Sequence, residues 1–339
     1  MKLLIVGPSW VGDAVMAQTL YKLIKECNED TKIEVLSSGW SIPILGRMEE
    51  VSRSIISPFH HGELKIKARF DFGKKLRVEG YERAIIMTNS LKSSLIPFFA
   101  KIPVRTGWLG EMRFGFINDL RSKEKRNYPL MIEQFAKLSD NPILDLNKSL
   151  PYPSLRVDSH NLKEQLINLG INSDKPSIAI CPGAEFGPAK KWPSYYYAEV
   201  CNEYLSKRWN VLVLGSHNDQ VTGNSIQEGI DKELLGHFFN LIGKTSLIDA
   251  IDLLSHCEKV ATNDSGLMHI AAAVDTPLVA IYGPSSPQFT PPLIDNHVAL
   301  RKSEGFDKIR EGSEEHGYHE SLIAIKPSEV LEGLDRLNK

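Results

Sequence analysis

Short apolar runs alternate along this chain with longer stretches in which apolar residues recur every three or four positions. Runs of the first kind predict buried strands, and stretches of the second kind predict helices with one face against a sheet. In the first half the predicted strands are 2–6, 32–38 and 83–90, and the predicted helices are 15–24, 41–48 and 91–102. Strands that alternate with helices indicate a parallel sheet covered on both faces, an α/β fold.

The alternation fades between 119 and 160, where prolines are frequent and periodicity is weak. It then resumes, with predicted strands at 177–183, 210–216, 259–262 and 277–282 and predicted helices at 195–208, 246–257, 267–274 and 326–339. We therefore predict two doubly wound, Rossmann-like domains, 1–155 and 156–339, that face each other across a cleft. The final helix is expected either to stay with the C-terminal domain or to pack back on the N-terminal domain.

Composition narrows the class of protein. The 339 residues are 42% hydrophobic and 24% charged, with a formal net charge of -2, so nothing in the global charge favours nucleic acid. The four cysteines are scattered without a C-x-x-C pair, which argues against zinc and for reduced thiols. Neither a signal peptide nor an apolar run of about 18 residues is visible, so we expect a cytoplasmic protein.

The turn after the first strand, GPSWVGD at 7–13, lacks the G-x-G-x-x-G fingerprint and carries Asp13 at the start of a helix. A carboxylate there is held ionised by the helix dipole. Taken alone, this residue is more simply a capping acid than a catalytic base.

Three loops in the second half carry features of a diphosphate site. In TNDSGLMHIAAA, Asp264, Ser265 and Gly266 precede a helix whose free N–H groups suit an anion, and His269 lies near the same end. In CPGAEFGPAKKWP, glycines and Lys190 follow a strand, and in LGSHNDQ, Asp219 is placed to accept from ribose hydroxyls. Each loop has an ordinary structural reading; together they favour a nucleotide-diphosphate site.

These segments, with YGPSSPQFTPPL at 282–293, resemble the ADP-heptose:lipopolysaccharide heptosyltransferases, glycosyltransferase family 9. Within the family, the segment 87–120 resembles heptosyltransferase II more than heptosyltransferase I. The resemblance spans nearly the whole chain and is weakest at 139–176 and 220–240. It implies the GT-B fold, with the acceptor bound by the N-terminal domain and the ADP-sugar by the C-terminal domain.

The resemblance also implies roles for individual residues. Asp13 matches the proposed general base and Lys190 the lysine that meets the donor phosphates. The donor-binding set is Gly183, Ala184, Glu185, Lys190, Asp219, Thr245, Asp264, Ser265, Gly266 and His269, with the Thr245 backbone near the adenine. The family's threonine pair is replaced here by Gly183-Ala184-Glu185, which leaves phosphate contact in that loop to backbone N–H groups.

For an acceptor that carries carboxylates and phosphates, cationic residues of the N-terminal domain are expected. Lys92, Arg105 and Arg113 are the candidates, with a basic run at 65–77 beside them. Trp108, Phe114 and Phe116 suit a sugar-stacking wall, a membrane-facing patch or the core equally well.

The resulting prediction is an inverting glycosyltransferase that moves L-glycero-D-manno-heptose from ADP-heptose to the first heptose of the lipopolysaccharide inner core. No D-x-D sequence demands a metal, no cofactor is expected to be required, and a divalent cation would at most stimulate. The lipid-anchored acceptor implies peripheral association with the inner face of the cytoplasmic membrane. The alternatives are heptosyltransferase I, another nucleotide-sugar transferase of this fold, and a non-catalytic nucleotide-sugar-binding protein.

Overall fold

The computed structural model describes residues 1–60, 62–121, 128–139, 149–185, 187–304, 309 and 317–338. Its contacts divide the chain into two compact units, Met1–Pro153 and Ser154–Lys339. This division lies within a few residues of the predicted boundary. Across these described ranges, every helix is too short or too polar to cross a membrane.

The first unit is built on six parallel strands in the order β3-β2-β1-β4-β5-β6. Its elements are β1 (Lys2–Val6), α1 (Val11–Met16), α2 (Gln18–Cys27), β2 (Lys32–Ser37), α3 (Ile42–Leu45), β3 (Val51–Ile56), α4 (Ile66–Leu76), β4 (Arg83–Ile86), α5 (Leu91–Phe99), β5 (Val104–Trp108), β6 (Asp119–Arg121) and α6 (Met131–Ala136).

The second unit repeats this topology, with the strand order β12-β11-β10-β7-β8-β9. Its elements are α7 (Ser159–Asn168), β7 (Ser177–Cys181), α8 (Ser194–Ser206), β8 (Asn210–Val213), α9 (Gln220–Glu228), β9 (Phe238–Asn240), α10 (Leu247–His256), β10 (Lys259–Asn263), α11 (Gly266–Ala273), β11 (Leu278–Tyr282), β12 (His297–Arg301), α12 (Glu320–Ile323) and α13 (Pro327–Asp335).

The prediction of two doubly wound parallel-sheet domains is confirmed. In each sheet the chain reverses its direction of winding at one point, between β1 and β4 in the first unit and between β7 and β10 in the second. Ligands of such sheets bind at this reversal, beyond the carboxyl ends of the strands. The two central strands, β1 and β7, are apolar almost throughout because helices cover both faces.

The apolar pattern missed the edge strands of both sheets, β3, β6, β9 and β12, and the interior strand β5. Strand β3 is half exposed and half polar, and β9 has three residues, so neither carries a continuous apolar run of strand length. Helix α7 begins at the end of the 119–160 stretch of weak periodicity, where Asp158 caps it by accepting from the backbone N–H groups of His160 and Asn161.

The final helix, α13, packs on the second sheet. Val330 and Leu334 belong to the same buried cluster as Ile281 of β11 and Tyr197 of α8. Among the described contacts, its main neighbours are α8, β10, β11 and β12. This packing favours assigning the C-terminal helix to the second unit rather than to the N-terminal domain.

Candidate active site

The loops after β7 and β10 meet at the winding reversal of the second sheet, and Asn263 at the end of β10 joins them. Its side-chain amide donates to the carbonyl of Pro182, 2.7 Å away. Its side-chain oxygen accepts from the hydroxyl of Tyr197 and from the backbone N–H of Trp192. This fully buried residue therefore fixes the loop after β7 and the start of α8 against β10. Asn263 was not among the site residues predicted from the sequence.

Two consecutive lysines leave the loop after β7 in opposite directions. The Lys190 ammonium lies 2.5 Å from a carboxylate oxygen of Asp264, which follows β10. The Lys191 ammonium lies 2.9 Å from a carboxylate oxygen of Asp219, in the turn after β8. Because β10 and β8 flank β7 on its two sides, the ion pairs fasten this loop to both neighbouring loops. Sequence reasoning had identified Lys190, Asp264 and Asp219 separately and had missed Lys191.

The first turn of α11 presents backbone N–H groups at the same edge of the sheet. Its N-cap, Ser265, is extended, and its side chain makes no capping hydrogen bond. The first N–H groups of a helix have no partner within it and lie at the positive end of its dipole. With the Lys190 ammonium nearby, this turn, which begins at Gly266, has the chemistry of an anion site.

His269, one turn into α11, contributes a neutral imidazole. Burial lowers its pKa to about 4, while Asp264 raises the pKa and Lys190 lowers it. The ring is therefore uncharged at neutral pH. Its buried Nδ1 has no hydrogen-bond partner among the described residues. A neutral imidazole can still donate one hydrogen bond to a ligand, but it adds no charge there.

Asp219 is built into the turn after β8. One of its carboxylate oxygens accepts from the backbone N–H and the hydroxyl of Ser216, at 3.1 and 2.9 Å. Gly183 lies directly against this carboxylate: a Cβ at residue 183 would be 2.5 Å from the same oxygen. Only glycine allows the loop after β7 to approach the carboxylate this closely.

The other predicted donor-binding residues lie on the same edge of the sheet. Ala184 is buried, and Glu185 is exposed with its carboxylate 3.3 Å from the side-chain amide of Asn218. Thr245 is half-buried in the turn between β9 and α10. This turn is hydrogen-bonded to the loop after β8: the Gly243 N–H donates to the Gly215 carbonyl at 3.2 Å.

In the first unit, Asp13 lies in the first turn of α1, where the loop after β1 passes the winding reversal of the sheet. Its loop is fixed to the loop after β2. The hydroxyl of Ser37 donates to the Pro8 carbonyl at 2.9 Å, and the indole N–H of Trp40 donates to the Ser9 carbonyl at 2.6 Å. The carboxylate is therefore carried by a braced turn and is partly exposed.

Two of the three predicted acceptor-binding cations already donate to backbone carbonyls. Arg113 is completely buried, and its guanidinium donates to the carbonyls of Thr88 and Trp108, each at 2.6 Å. Burial lowers the pKa of Arg113 to about 10, which leaves it charged at neutral pH. It braces the loop after β4 from inside and is not available to a substrate in this structure.

Arg105 is engaged in a similar way, by backbone carbonyls on both sides of β5. Its guanidinium donates to the carbonyls of Ile102 and Phe116, at 2.5 and 2.6 Å. Burial also lowers its pKa. Lys92, in the first turn of α5, is half-buried and follows β4, so it remains a candidate. The sequence pattern could not tell which of the three cations is bound by backbone carbonyls, because all three lie near a strand end or in a loop.

Comparison with known proteins agrees with this geometry. The family described as glycosyltransferase family 9 (heptosyltransferase) matches residues 69–319. The lipopolysaccharide heptosyltransferase 2 of Salmonella typhimurium is 45% identical over 99% of this chain and 98% of its own length. The lipooligosaccharide heptosyltransferase 2 of Haemophilus influenzae is 44% identical over 99% of both chains. The solved structure of E. coli ADP-heptose lps heptosyltransferase II superposes with a TM-score of 0.89, at 42% identity, over 99% of this chain and 98% of that one.

Proposed function

This chain belongs to glycosyltransferase family 9, the heptosyltransferase family, and on that premise we propose that it transfers a heptose from ADP-heptose to the first heptose of the lipopolysaccharide inner core. Its two parallel-sheet units are those of the GT-B fold. The relatives at 44–45% identity that carry the heptosyltransferase 2 name favour this acceptor over that of heptosyltransferase I.

The donor assignment rests on the Lys190–Asp264 pair at the start of α11. The pair lies at the winding reversal of the second sheet, where nucleotides bind in this topology. We propose that the diphosphate takes the place of Asp264 beside the Lys190 ammonium and accepts from the first N–H groups of α11. Backbone N–H groups of Gly183, Ala184 and Glu185 would donate to the phosphates from the other side. The backbone of Thr245 would lie near the adenine.

In the proposed reaction a hydroxyl oxygen of the acceptor heptose attacks the anomeric carbon of the donor. The new carbon–oxygen bond forms on the face opposite the bond to ADP, which breaks, so the configuration inverts. Asp13 takes the hydroxyl proton. The negative charge that grows on the departing ADP is stabilised by Lys190 and by the N-terminus of α11, which assists the transition state more than the ground state. No cofactor is required in this scheme, and a divalent cation would at most stimulate.

A product assay tests the proposed function directly. ADP-heptose is offered with acceptors that carry zero, one or two inner-core heptoses, and the products are identified by mass spectrometry. We expect one heptose to be added only to the acceptor that already carries one. Addition to the acceptor without heptose would identify a heptosyltransferase I activity. ADP-heptose binding without any transfer would indicate a sugar-nucleotide-binding protein.

We also propose that the enzyme meets its lipid-anchored acceptor by binding the membrane surface peripherally, through the first unit. Four aromatic rings run across the surface formed by α4, α5 and the segment after β5. Phe70 contacts Phe99 with ring centres 5.3 Å apart, Phe99 contacts Phe98 at 5.6 Å, and Phe98 contacts Phe116 at 4.9 Å. The same segment exposes Met112 and Phe114, at 87% and 63% of their surface.

Cations border this aromatic surface. Between Leu64 and Val78 the chain has six cationic residues and one acid, and Lys65, Lys67, Lys74 and Lys75 are exposed. Exposed aromatic residues beside lysines are the composition of an interfacial membrane contact. Each lysine close to an anionic bilayer contributes about 1 kcal/mol at low salt, and this attraction fades as salt shortens the Debye length.

Vesicle binding checks this location. Phosphatidylglycerol vesicles should retain the protein at low salt and release it at high salt. The double variant M112S/F114S should lower the partition coefficient by about tenfold or more, since it removes two apolar side chains from the contact. Ile167→Ser is the control, because Ile167 is an exposed apolar residue of the second unit. Retention that ignores salt, or an equal loss in the control, would contradict the proposed surface.

A further inference from the structure

The Asp219–Lys191 ion pair suggests a role for Asp219 that differs from the ribose contact expected from the sequence. We propose that Asp219 is a positioning residue, which anchors the phosphate-binding loop through Lys191 so that Lys190 is presented to the donor diphosphate. The inference rests on the proposed function, because it takes the diphosphate of the donor as the ligand of this loop.

The hydrogen bonds of Asp219 argue against a ribose contact. One carboxylate oxygen accepts from both the N–H and the hydroxyl of Ser216, and the other accepts from Lys191. The side chain is 8% exposed. Three of the roughly four acceptor positions of the carboxylate are therefore occupied, and its low exposure leaves little room for ribose hydroxyls unless they displace the ion pair or the cap.

The path of the backbone supports an anchoring role. The loop after β7 passes so close to Asp219 that a Cβ at Gly183 would meet the carboxylate. The loop thus contacts Asp219 at its beginning through Gly183 and at its end through Lys191. Between these two points lie the residues proposed to surround the phosphates, and Lys190 precedes the anchored lysine directly.

The side chains of Lys190 and Lys191 point in opposite directions, and this explains how the Asp219–Lys191 pair acts on the donor site. Lys190 ends a 3-10 turn, Pro188–Lys190, and the backbone becomes extended at Lys191. With Lys191 held toward β8 at 2.9 Å from Asp219, this change of backbone conformation leaves the neighbouring Lys190 pointing toward β10 and the start of α11. Releasing Lys191 frees the end of the loop, and the Lys190 ammonium then has to be ordered when the anion binds. That ordering lowers affinity for any ligand with a diphosphate, whether or not the ligand carries a ribose.

Two probes separate the anchor from a ribose contact: ADP, and inorganic pyrophosphate, which has no ribose. Asp219→Asn keeps an oxygen for Ser216 but turns an amide toward Lys191, so it releases the lysine and preserves the cap. By calorimetry we expect this variant to bind ADP and pyrophosphate about tenfold more weakly, by the same factor for both. Weakened ADP binding with unchanged pyrophosphate binding would overturn the anchor and support the ribose contact.

A double-mutant cycle with Lys191→Met distinguishes anchoring from a general loss of structure. If Asp219 acts through Lys191, the double variant D219N/K191M should bind pyrophosphate no more weakly than either single variant. A double variant whose loss of pyrophosphate affinity equals the product of the two single-variant losses would overturn the proposal. Lys207→Met is the matched control and should bind like the wild type, because Lys207 pairs with Glu203 on the surface of the same unit.

The same titrations tell failure of this inference apart from failure of the proposed function. Wild-type protein that bound neither ADP nor pyrophosphate would overturn the donor assignment, and the anchor with it. Wild-type binding of both, with D219N equal to the wild type, would overturn the anchor alone.

Discussion

Asp13→Asn should lower kcat by about 10²- to 10⁴-fold at saturating donor, the usual contribution of a general base, with little change in donor affinity. Asparagine has nearly the same shape as aspartate but cannot take the hydroxyl proton. In the first turn of α1 the substitution removes a favourable charge–dipole interaction, of about 0.3–1 kcal/mol. The folded state should therefore survive, and the effect should appear in the rate. Steady-state kinetics with ADP-heptose and the one-heptose acceptor measures it.

The magnitude of the loss separates the two readings of this residue. An acid that only stabilises the first turn of α1 would leave kcat close to the wild-type value when replaced by asparagine. Asp30→Asn is the control, because Asp30 is an exposed aspartate of the same unit. If Asp13→Asn keeps more than about a tenth of the wild-type kcat, another group takes the proton.

Lys190→Ala should weaken ADP binding by about 10- to 100-fold, the range expected for a hydrogen bond between charged groups. Two effects act in the same direction. The variant loses the ammonium, and it leaves the Asp264 carboxylate, whose side chain is 7% exposed, beside the incoming phosphates. Calorimetric titration with ADP measures the change, and circular dichroism checks that the variant is folded.

Removing the carboxylate as well should recover part of the lost affinity. In the double variant K190A/D264N the repulsion between carboxylate and phosphate is gone, so ADP should bind more tightly than to Lys190→Ala alone. Lys207→Ala, which removes a lysine from a surface pair of the same unit, should bind ADP like the wild type. Unchanged ADP affinity in folded Lys190→Ala would remove this lysine from the donor site.

Much of the fold could be predicted because a buried strand or helix is recognisable from its own residues, without knowledge of its partners. A strand covered on both faces must be apolar along its length, so 2–6 and 177–183 were recognisable without any partner. The edge strands β3 and β9 were missed because a strand with an open side, or of three residues, has no such requirement. Helix α7 was lost in a proline-rich stretch although Asp158, a good N-cap residue, begins it.

The sequence by itself determined the two parallel-sheet units, the strand ends that carry Asp13, Lys190 and Asp264, and the family. Only the tertiary structure decided which polar side chains at those strand ends are already engaged. Arg113 and Arg105 resemble surface cations in the sequence, yet backbone carbonyls occupy their guanidinium groups. The physical reason is that a charge is satisfied by whatever partner the fold brings within about 3 Å, and periodicity along the chain does not encode that distance.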